Sequence, residues 1–177
     1  MRPGLDPATR EAFAQIAEAG RRMADTVTAL VDLARSGADS FAETSTIDEV
    51  VAAAGPEGVD VNLSPADRAV VVALPTALAA RALAPVLDNA RAHRLDRVSL
   101  RAASGADHVD LIVEDDGPGI SDEDADGLFV PGVRSGASTG AGLGLPLARR
   151  IARAAGGDVR WEPSLTGARF VVRLPRR

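Results

Sequence analysis

The sequence predicts an α+β fold in which a mostly antiparallel sheet is covered on one face by helices. Two observations lead to this fold class: short apolar segments of strand type are separated by turn residues, and longer segments between them repeat apolar residues with helical spacing. The 177 residues are 46% hydrophobic and 25% charged, a globular composition that suits one domain with an appendage.

Charge and composition exclude several classes of function. The 25 acidic and 20 basic residues give a net charge of −5, so we expect no nucleic-acid partner. The absence of cysteine rules out disulfides and thiolate metal sites and fits a reducing compartment. No apolar run approaches the roughly 20 residues of a membrane span. We therefore expect a soluble, cytoplasmic chain, although a longer parent protein need not be soluble.

The first predicted element is a helix from Ala8 to Ser36 that ends at Gly37. Its apolar residues recur at spacings of three, four and seven and form one stripe. Two interpretations remain open: a helix packed on its own domain, or one arm of a helical hairpin or dimer. The stripe consists of Phe13, Ile16, Met23, Val27, Leu30 and Ala34.

The next elements are a short helix and two strands. The segment from Thr46 to Glu49 has the form of a capping box and predicts a short helix that ends at Gly55 and Pro56. The apolar segments that follow predict strands at Val59–Leu63 and Ala69–Leu74, with a Ser-Pro-Ala-Asp turn between them.

Two further helices and four strands complete the fold. A helix is predicted from about Thr76 to Arg94, and a second one in "GLPLARRIARAAGG", with Pro146 in its first turn and Gly156 at its end. The segment Ser121 to Thr139 shows no sustained period and is predicted as a loop. The predicted strands are Arg97–Ala102, His108–Glu114, Val159–Glu162 and Ala168–Leu174.

Four segments carry the residues of chemical interest: "PVLDNARAH" from position 85, "DDGPGI" from 115, "LFVPGVRS" from 128 and "GAGLGL" from 140. Each has an ordinary explanation when taken alone. Asn89 could face solvent, the two aspartates could begin a hairpin turn, and the glycines could form a linker. A dinucleotide-binding interpretation fails because the spacing is G-x-G-x-G and no strand precedes it.

Taken together and in this order, the segments resemble the ATP-binding catalytic domain of sensor histidine kinases, a member of the Bergerat-type ATPase superfamily shared with gyrase B and MutL. "LDNARAH" resembles the N box, "VEDDGPGI" the G1 box, "LFVPGVR" the F box and "TGAGLGLPLARRI" the G2 box. The resemblance runs from about Asp60 to Pro175. It implies a Bergerat-type α/β sandwich over residues 41–177, preceded by a partial dimerisation helix over residues 1–40.

The resemblance also implies ATP and Mg²⁺ as ligands. The Asp115 carboxylate would accept a hydrogen of the exocyclic amino group of adenine, where guanine presents a carbonyl. Asp116 would be a solvated neighbour. Asn89 would offer its oxygen to Mg²⁺, while Gly142 and Gly144 would direct backbone N–H groups at the phosphates. The implied ATP-binding set is Asn89, His93, Asp115, Gly117, Gly119, Ile120, Phe129, Arg134, Gly140, Gly142, Leu143, Gly144 and Leu145.

Between the F and G2 boxes, Ser135 to Thr139 would form a short lid over the nucleotide, which indicates a partly open site. Two positions depart from the family pattern. Pro85 stands where the family has a polar residue, and where its ATPase relatives have the acid that activates water. This argues against efficient hydrolysis, and the proline could kink the helix or mark its start. Ala92 replaces a common basic residue that contacts phosphate, and Arg91 points elsewhere.

The implied activity is transfer of the ATP γ-phosphate to a histidine on a separate dimerisation domain, and from there to a response regulator receiver domain. The segment "AEAGRRMADTVTALVDLARSG" looks like the second helix of the dimerising hairpin, and it could support a homodimer. Neither His93 nor His108 lies in a phosphoacceptor context, so no catalytic side chain is assigned. The alternatives are a catalytically weak nucleotide-sensing or docking module and a serine kinase of the anti-sigma-factor type.

Overall fold

A computed structural model describes residues 43–133 and 142–177, apart from the side chain of Asp122. The predicted helix Ala8–Ser36 and the predicted lid lie outside these residues, so the division at residue 40 stays a prediction. The helices are α1 (Ile47–Ala53), α2 (Pro65–Arg68), α3 (Thr76–His93), α4 (Asp122–Ala125) and α5 (Gly144–Ala154). The strands are β1 (Ser45–Thr46), β2 (Asp60–Asn62), β3 (Val71–Val72), β4 (Val98–Ser104), β5 (His108–Asp115), β6 (Asp158–Glu162) and β7 (Arg169–Pro175).

The main sheet has five strands in the order β2-β4-β5-β7-β6, and β1 pairs with β3 in a separate two-stranded sheet. Only β2 and β4 run parallel in the main sheet, whereas its other neighbouring strands are antiparallel. The predicted class, a mixed and mostly antiparallel sheet with helices, is therefore confirmed. No helix in the described part of the chain is long and apolar enough to cross a membrane.

The two faces of the main sheet differ in polarity. Its inner face is apolar, because alternate residues of each strand, such as Leu100, Val113 and Phe170, are buried. Helices α3 and α5 contact the sheet, α3 at β4, β5 and β7 and α5 at β6 and β7. The opposite face carries ion pairs, including those of Asp110 with Arg160 and Arg173.

The ion pairs of this outer face keep Asp110 charged. Burial by itself would raise the pKa of the Asp110 carboxyl, but hydrogen bonds from Arg173 and Arg160 outweigh it and hold the pKa below its usual range. A sheet with one apolar face and one charged face needs helices on the apolar side only. In the described part of the chain, α3 and α5 provide this cover.

Capping boxes explain two of the short helices. The Thr46 hydroxyl accepts the N–H of Glu49, and the Glu49 carboxylate accepts the N–H of Thr46, as predicted. The predicted Ser-Pro-Ala-Asp turn is instead the helical turn α2, where Ser64 and Asp67 form a second capping box. The chain turns there, and β3 joins β1 rather than the main sheet.

Two further segments differ in detail from their predictions. Helix α3 continues through Pro85, so it does not begin at the proline. The predicted loop after Ser121 contains the helical turn α4, in which the Ser121 hydroxyl accepts the N–H of Asp124. Four helical residues are too few to produce a periodic pattern in the sequence.

Candidate functional site

Asp115 lies at the end of β5 and is only 5% exposed. Its Oδ1 atom accepts the backbone N–H groups of Gly117, at 2.9 Å, and of Ala168, at 3.2 Å. Its Oδ2 atom is buried and has no hydrogen-bond partner among residues 43–133 and 142–177. A buried acceptor without a donor costs free energy, and native proteins rarely leave one unpaired. The arrangement therefore fits a ligand that brings an N–H donor to Oδ2.

Glycines allow the backbone to close tightly around this carboxylate. A Cβ atom on Gly117 would lie 2.2 Å from the carbonyl oxygen of His93, the last residue of α3. A Cβ atom on Gly167 would lie 1.9 Å from the Asp115 carbonyl oxygen, and the φ angle of Gly167 is +60°. Gly119, with a φ of +79°, lies against the carbonyl of Gly167. Only glycine fits the close approaches at 117 and 167.

Asp116 makes structural contacts that the expectation of a solvated neighbour did not include. Its carboxylate accepts the backbone N–H groups of Leu95, Asp96 and Arg97 at 2.9–3.2 Å. The N–H groups of Asp96 and Arg97, followed by that of Leu95, hold the pKa of Asp116 below its usual range. These hydrogen bonds therefore hold the segment after β5 against residues 95–97, which follow α3.

One face of α3 connects this end of the site with the start of α5. Pro85, Asn89 and His93 follow each other at intervals of four residues, which places them on one side of the helix. Gly144 lies against Pro85, since a Cβ atom on Gly144 would be 3.2 Å from the Pro85 Cβ. Asn89 is half-buried, and its amide makes no hydrogen bond within residues 43–133 and 142–177.

The start of α5 offers backbone donors. Within residues 43–133 and 142–177, no side chain caps the helix after Leu143. No acidic residue occupies the first turn, and the third helical residue is Pro146, which has no N–H. Gly142, with a φ of +68°, accepts the N–H of Gly132, and a Cβ atom on it would lie 2.5 Å from the carbonyl of Val133. The N–H groups of the first turn, which have no partner within the helix itself, and the helix dipole favour an anion at this end.

Phe129 packs against Arg149 of α5. The Arg149 guanidinium carbon is 4.4 Å from the centre of the Phe129 ring. Arg149 also donates to the Asp158 carboxylate at 3.0 Å, and Arg153 donates to the same group. These contacts fix the F box segment to the helix that carries the candidate anion site, and a direct contact of Phe129 with nucleotide stays a prediction.

The remaining predicted residues divide into three groups. Ile120 and Leu145 are half-buried, and Leu143 is 37% exposed, so all three are accessible to a ligand. Arg134 and Gly140 lie outside the described residues. The sequence did not predict Gly167 and Ala168 as site residues, although both contact Asp115 directly. A single glycine before the last strand was the only sequence signal for them, and it also fits an ordinary hairpin loop.

The structure shows the surroundings of Ala92, where the family commonly has a basic residue, and of its neighbour Arg91. Arg91 donates to the carbonyl oxygens of Gly55 and Glu57 and to the carboxylate of Asp88. This confirms that Arg91 points away from the face shared by Pro85 and Asn89. Ala92 is exposed and carries no charge.

The described residues fit a magnesium ion only in combination with a ligand. Among residues 43–133 and 142–177, no three His, Cys, Asp or Glu side chains form a group that could hold a metal ion. Mg²⁺ prefers oxygen ligands, keeps several of its waters and is commonly shared between one or two protein oxygens and substrate phosphates. Among the described residues, the amide of Asn89, which makes no hydrogen bond to any of them, suits this role.

Comparisons with known proteins agree with the geometry. The sensor protein RstB of Escherichia coli (strain K12) is 39% identical over 109 residues, 58% of this chain and 25% of RstB. Among solved structures, the mycobacterial sensor histidine kinase MprB matches with a TM-score of 0.66 and 25% identity, over 76% of this chain and 97% of that one. The ATP binding domain of PrrB from Mycobacterium tuberculosis matches with a TM-score of 0.59 and 27% identity, over 76% and 96%.

The family follows from the match to its sequence model. Residues 75–177, more than half of the chain, match the model of the histidine kinase-, DNA gyrase B- and HSP90-like ATPases. The aligned part spans about a quarter of the curated relative RstB. The resemblance found in the sequence is thus confirmed, and the chain belongs to the family of histidine kinase-, DNA gyrase B- and HSP90-like ATPases.

Proposed function

We propose that this chain binds ATP with Mg²⁺ and acts as the catalytic domain of a two-component sensor histidine kinase. The γ-phosphoryl group would leave ADP and form a bond to an imidazole nitrogen of a histidine on a separate dimerisation domain. From phosphohistidine it would pass to an aspartate of a response regulator receiver domain. The similarity to RstB, named as a sensor protein, and to MprB, named as a sensor histidine kinase, supports this assignment.

The observation that carries the proposal is the unpaired Oδ2 atom of Asp115. In the part of the chain that the structure describes, both donors that reach this carboxylate go to Oδ1, so Oδ2 is left to accept a ligand hydrogen. The exocyclic amino group of adenine supplies such a hydrogen. Guanine presents a carbonyl at the same position, and two acceptors facing each other would leave both unpaired. The site therefore selects ATP over GTP.

The phosphates would lie towards the start of α5. Its free backbone N–H groups and the dipole of the helix would bind them, and Asn89 would hold Mg²⁺ through its side-chain oxygen. Magnesium neutralises phosphate charge when bound. In phosphoryl transfer the protein contributes mainly positioning and charge stabilisation, so no nucleophilic side chain is required of this chain.

Pro85 favours transfer over hydrolysis. It occupies the face of α3 that meets Gly144, next to the candidate anion site. A proline side chain cannot take a proton from water, so water at this position would not be activated. We therefore expect a histidine acceptor to compete well against water for the γ-phosphoryl group.

A second candidate is a catalytically weak nucleotide-sensing module. Two observations favour it: Ala92 supplies no charge, and Arg91 is held by Gly55, Glu57 and Asp88. The phosphates would then meet backbone donors with little help from α3. This candidate predicts nucleotide binding without phosphoryl transfer.

The experiment that separates these functions supplies γ-labelled ATP, Mg²⁺ and a helical hairpin with a phosphoacceptor histidine. A histidine kinase gives an acid-labile label on the hairpin and none on its His→Gln variant. If the chain binds nucleotide but the supplied hairpin acquires no label, the result would favour the sensing module. An acid-stable label on a serine would indicate the anti-sigma-factor type of kinase.

A further inference from the structure

Asp116 is a carboxylate that the proposed function does not use. Its Oδ1 atom accepts the N–H groups of Leu95, Asp96 and Arg97 at 2.9, 3.0 and 3.1 Å. Its Oδ2 atom accepts from the last two of these at 3.2 and 3.1 Å. These donors belong to residues 94–97, the α3–β4 connection, which joins the helix of Asn89 to the sheet.

Backbone contacts of Asp116 and Gly117 also hold the two ends of the α3–β4 connection. The backbone N–H of Asp116 donates to the carbonyl of Arg97 at 3.3 Å, and Gly117 lies directly against the carbonyl of His93. The N–H of Gly117 in turn donates to Oδ1 of Asp115. A continuous series of contacts therefore leads from the Asp116 carboxylate through the α3–β4 connection and Gly117 to the carboxylate that would read the base.

We propose that Asp116 is a positioning residue for base recognition. By fastening the α3–β4 connection, it keeps the Gly117 N–H on Oδ1 of Asp115 and so leaves Oδ2 in place to accept the amino group of adenine. It acts through Gly117 and Asp115 and not by touching the nucleotide. This inference rests on the proposed function, because it concerns the same site.

Loss of this carboxylate should loosen the site more than it unfolds the protein. The connection lies at the surface, where Leu95 is 82% exposed, so water can replace the carboxylate at the three N–H groups. Water would not hold them in one geometry. The effect should therefore appear in discrimination between bases as well as in affinity.

The test measures what the 6-amino group of adenine contributes to binding. ATP and purine riboside 5′-triphosphate, which lacks that group, are titrated with Mg²⁺ into the full chain by calorimetry at low temperature. The variants are Asp116→Ala and Asp116→Asn. Asp60→Asn is the charge-matched control, since Asp60 is exposed on β2 and its side chain makes no hydrogen bond within the described residues.

We expect wild type to prefer ATP by at least about tenfold, because a hydrogen bond to a charged group contributes roughly that factor or more. In Asp116→Ala the preference should fall below about threefold as the oriented bond weakens. Asp116→Asn should be intermediate, since it keeps one acceptor oxygen, and Asp60→Asn should match wild type. Fluorescence of Trp161, the single tryptophan of the chain, reports whether each variant is folded.

A lower unfolding temperature with an unchanged preference for ATP would mean that Asp116 is only structural, and this result would overturn the inference. If Asp116→Ala does not fold, the Asp116→Asn variant decides by the same criterion. Wild type that binds both nucleotides equally would contradict the proposed function itself, and the inference with it. An unchanged preference in the variants alone would contradict only the role of Asp116.

Discussion

The two ends of the candidate site are built in different ways. At the proposed adenine end, the backbone N–H groups of Gly117 and Ala168 bind Asp115. Asp116 binds the N–H groups of the α3–β4 connection beside it. At the phosphate end, the described residues offer an uncapped helix start and the amide of Asn89. Within the described residues, backbone groups of the protein itself therefore hold the proposed adenine end in place, whereas at the proposed phosphate end ATP and Mg²⁺ would supply further contacts.

The largest expected effect is at Gly167 and would break the adenine end. In Gly167→Ala the new Cβ atom would overlap the Asp115 carbonyl, and the φ of +60° adds strain. We expect a loss of more than about 3 kcal/mol in the free energy of unfolding. Urea unfolding measures it.

A matched control separates overlap from strain in this comparison. Gly58 has a φ of +71°. Among the described residues, apart from its two chain neighbours, no heavy atom lies within 4 Å of the place that a Cβ atom would take there. Gly58→Ala should therefore lose only the roughly 1–2 kcal/mol of a left-handed residue. Equal losses in the two variants would mean that the close packing at Asp115 is not what makes Gly167 necessary.

The next effect is a gain of stability at the phosphate end. Pro85 interrupts the hydrogen bonds of α3, so Pro85→Ala should raise the free energy of unfolding by about 1–3 kcal/mol. ATP affinity should stay within about twofold, because alanine keeps the Cβ atom that faces Gly144. A loss of stability in thermal unfolding would show that the proline ring itself supports the start of α5.

The Arg91→Ala variant tests whether α3 contributes a positively charged side chain to phosphate binding. Arg91→Ala removes hydrogen bonds to Gly55 and Glu57 and should lower the free energy of unfolding by about 1–2 kcal/mol. ATP affinity should not change. Arg68→Ala, which breaks one exposed ion pair with Asp48, should lose less than about 1 kcal/mol. A tenfold weaker ATP affinity in folded Arg91→Ala would show that Arg91 reaches the phosphates.

The smallest effect concerns pH and sharpens the account of the adenine end. The N–H groups of Asp96 and Arg97 lower the pKa of Asp116 in the folded protein. The hydrogen bonds therefore stabilise the folded protein at pH values above the pKa that Asp116 has in the unfolded chain, near 3.9. This stabilisation is lost as the pH falls through the lower pKa of Asp116 in the folded protein. Asp116→Asn should show a shallower loss of stability below about pH 4. Equal slopes for both proteins would contradict the assignment.

The sequence predicted those parts of the fold that depend on nearby residues. The capping box at Thr46 and Glu49 and the end of α5 at Gly156 each involve groups only a few positions apart, and both predictions are confirmed. The pairing of β3 with β1 was not predicted, because it depends on a helical turn too short to give a periodic pattern.

The site shows the same limit. Its boxes were recognisable because each is a short continuous pattern. The contact between Ala168 and Asp115 joins residues 53 positions apart, and the contacts of Asp116 join residues about 20 positions away. The motif contains one donor to Oδ1 of Asp115, Gly117, but the second donor is Ala168, so the motif alone could not show that Oδ2 is the oxygen without a partner in the described residues. The roles of the predicted site residues in nucleotide binding stay predictions.

The most direct test of the account is calorimetric titration of the full chain with ATP and Mg²⁺, beside GTP and the Asp115→Asn variant. The account predicts binding that prefers ATP and weakens at least about tenfold in the variant, which exchanges one acceptor oxygen for a donor. Folded wild-type protein that binds no nucleotide, or binds ATP and GTP equally, would contradict it.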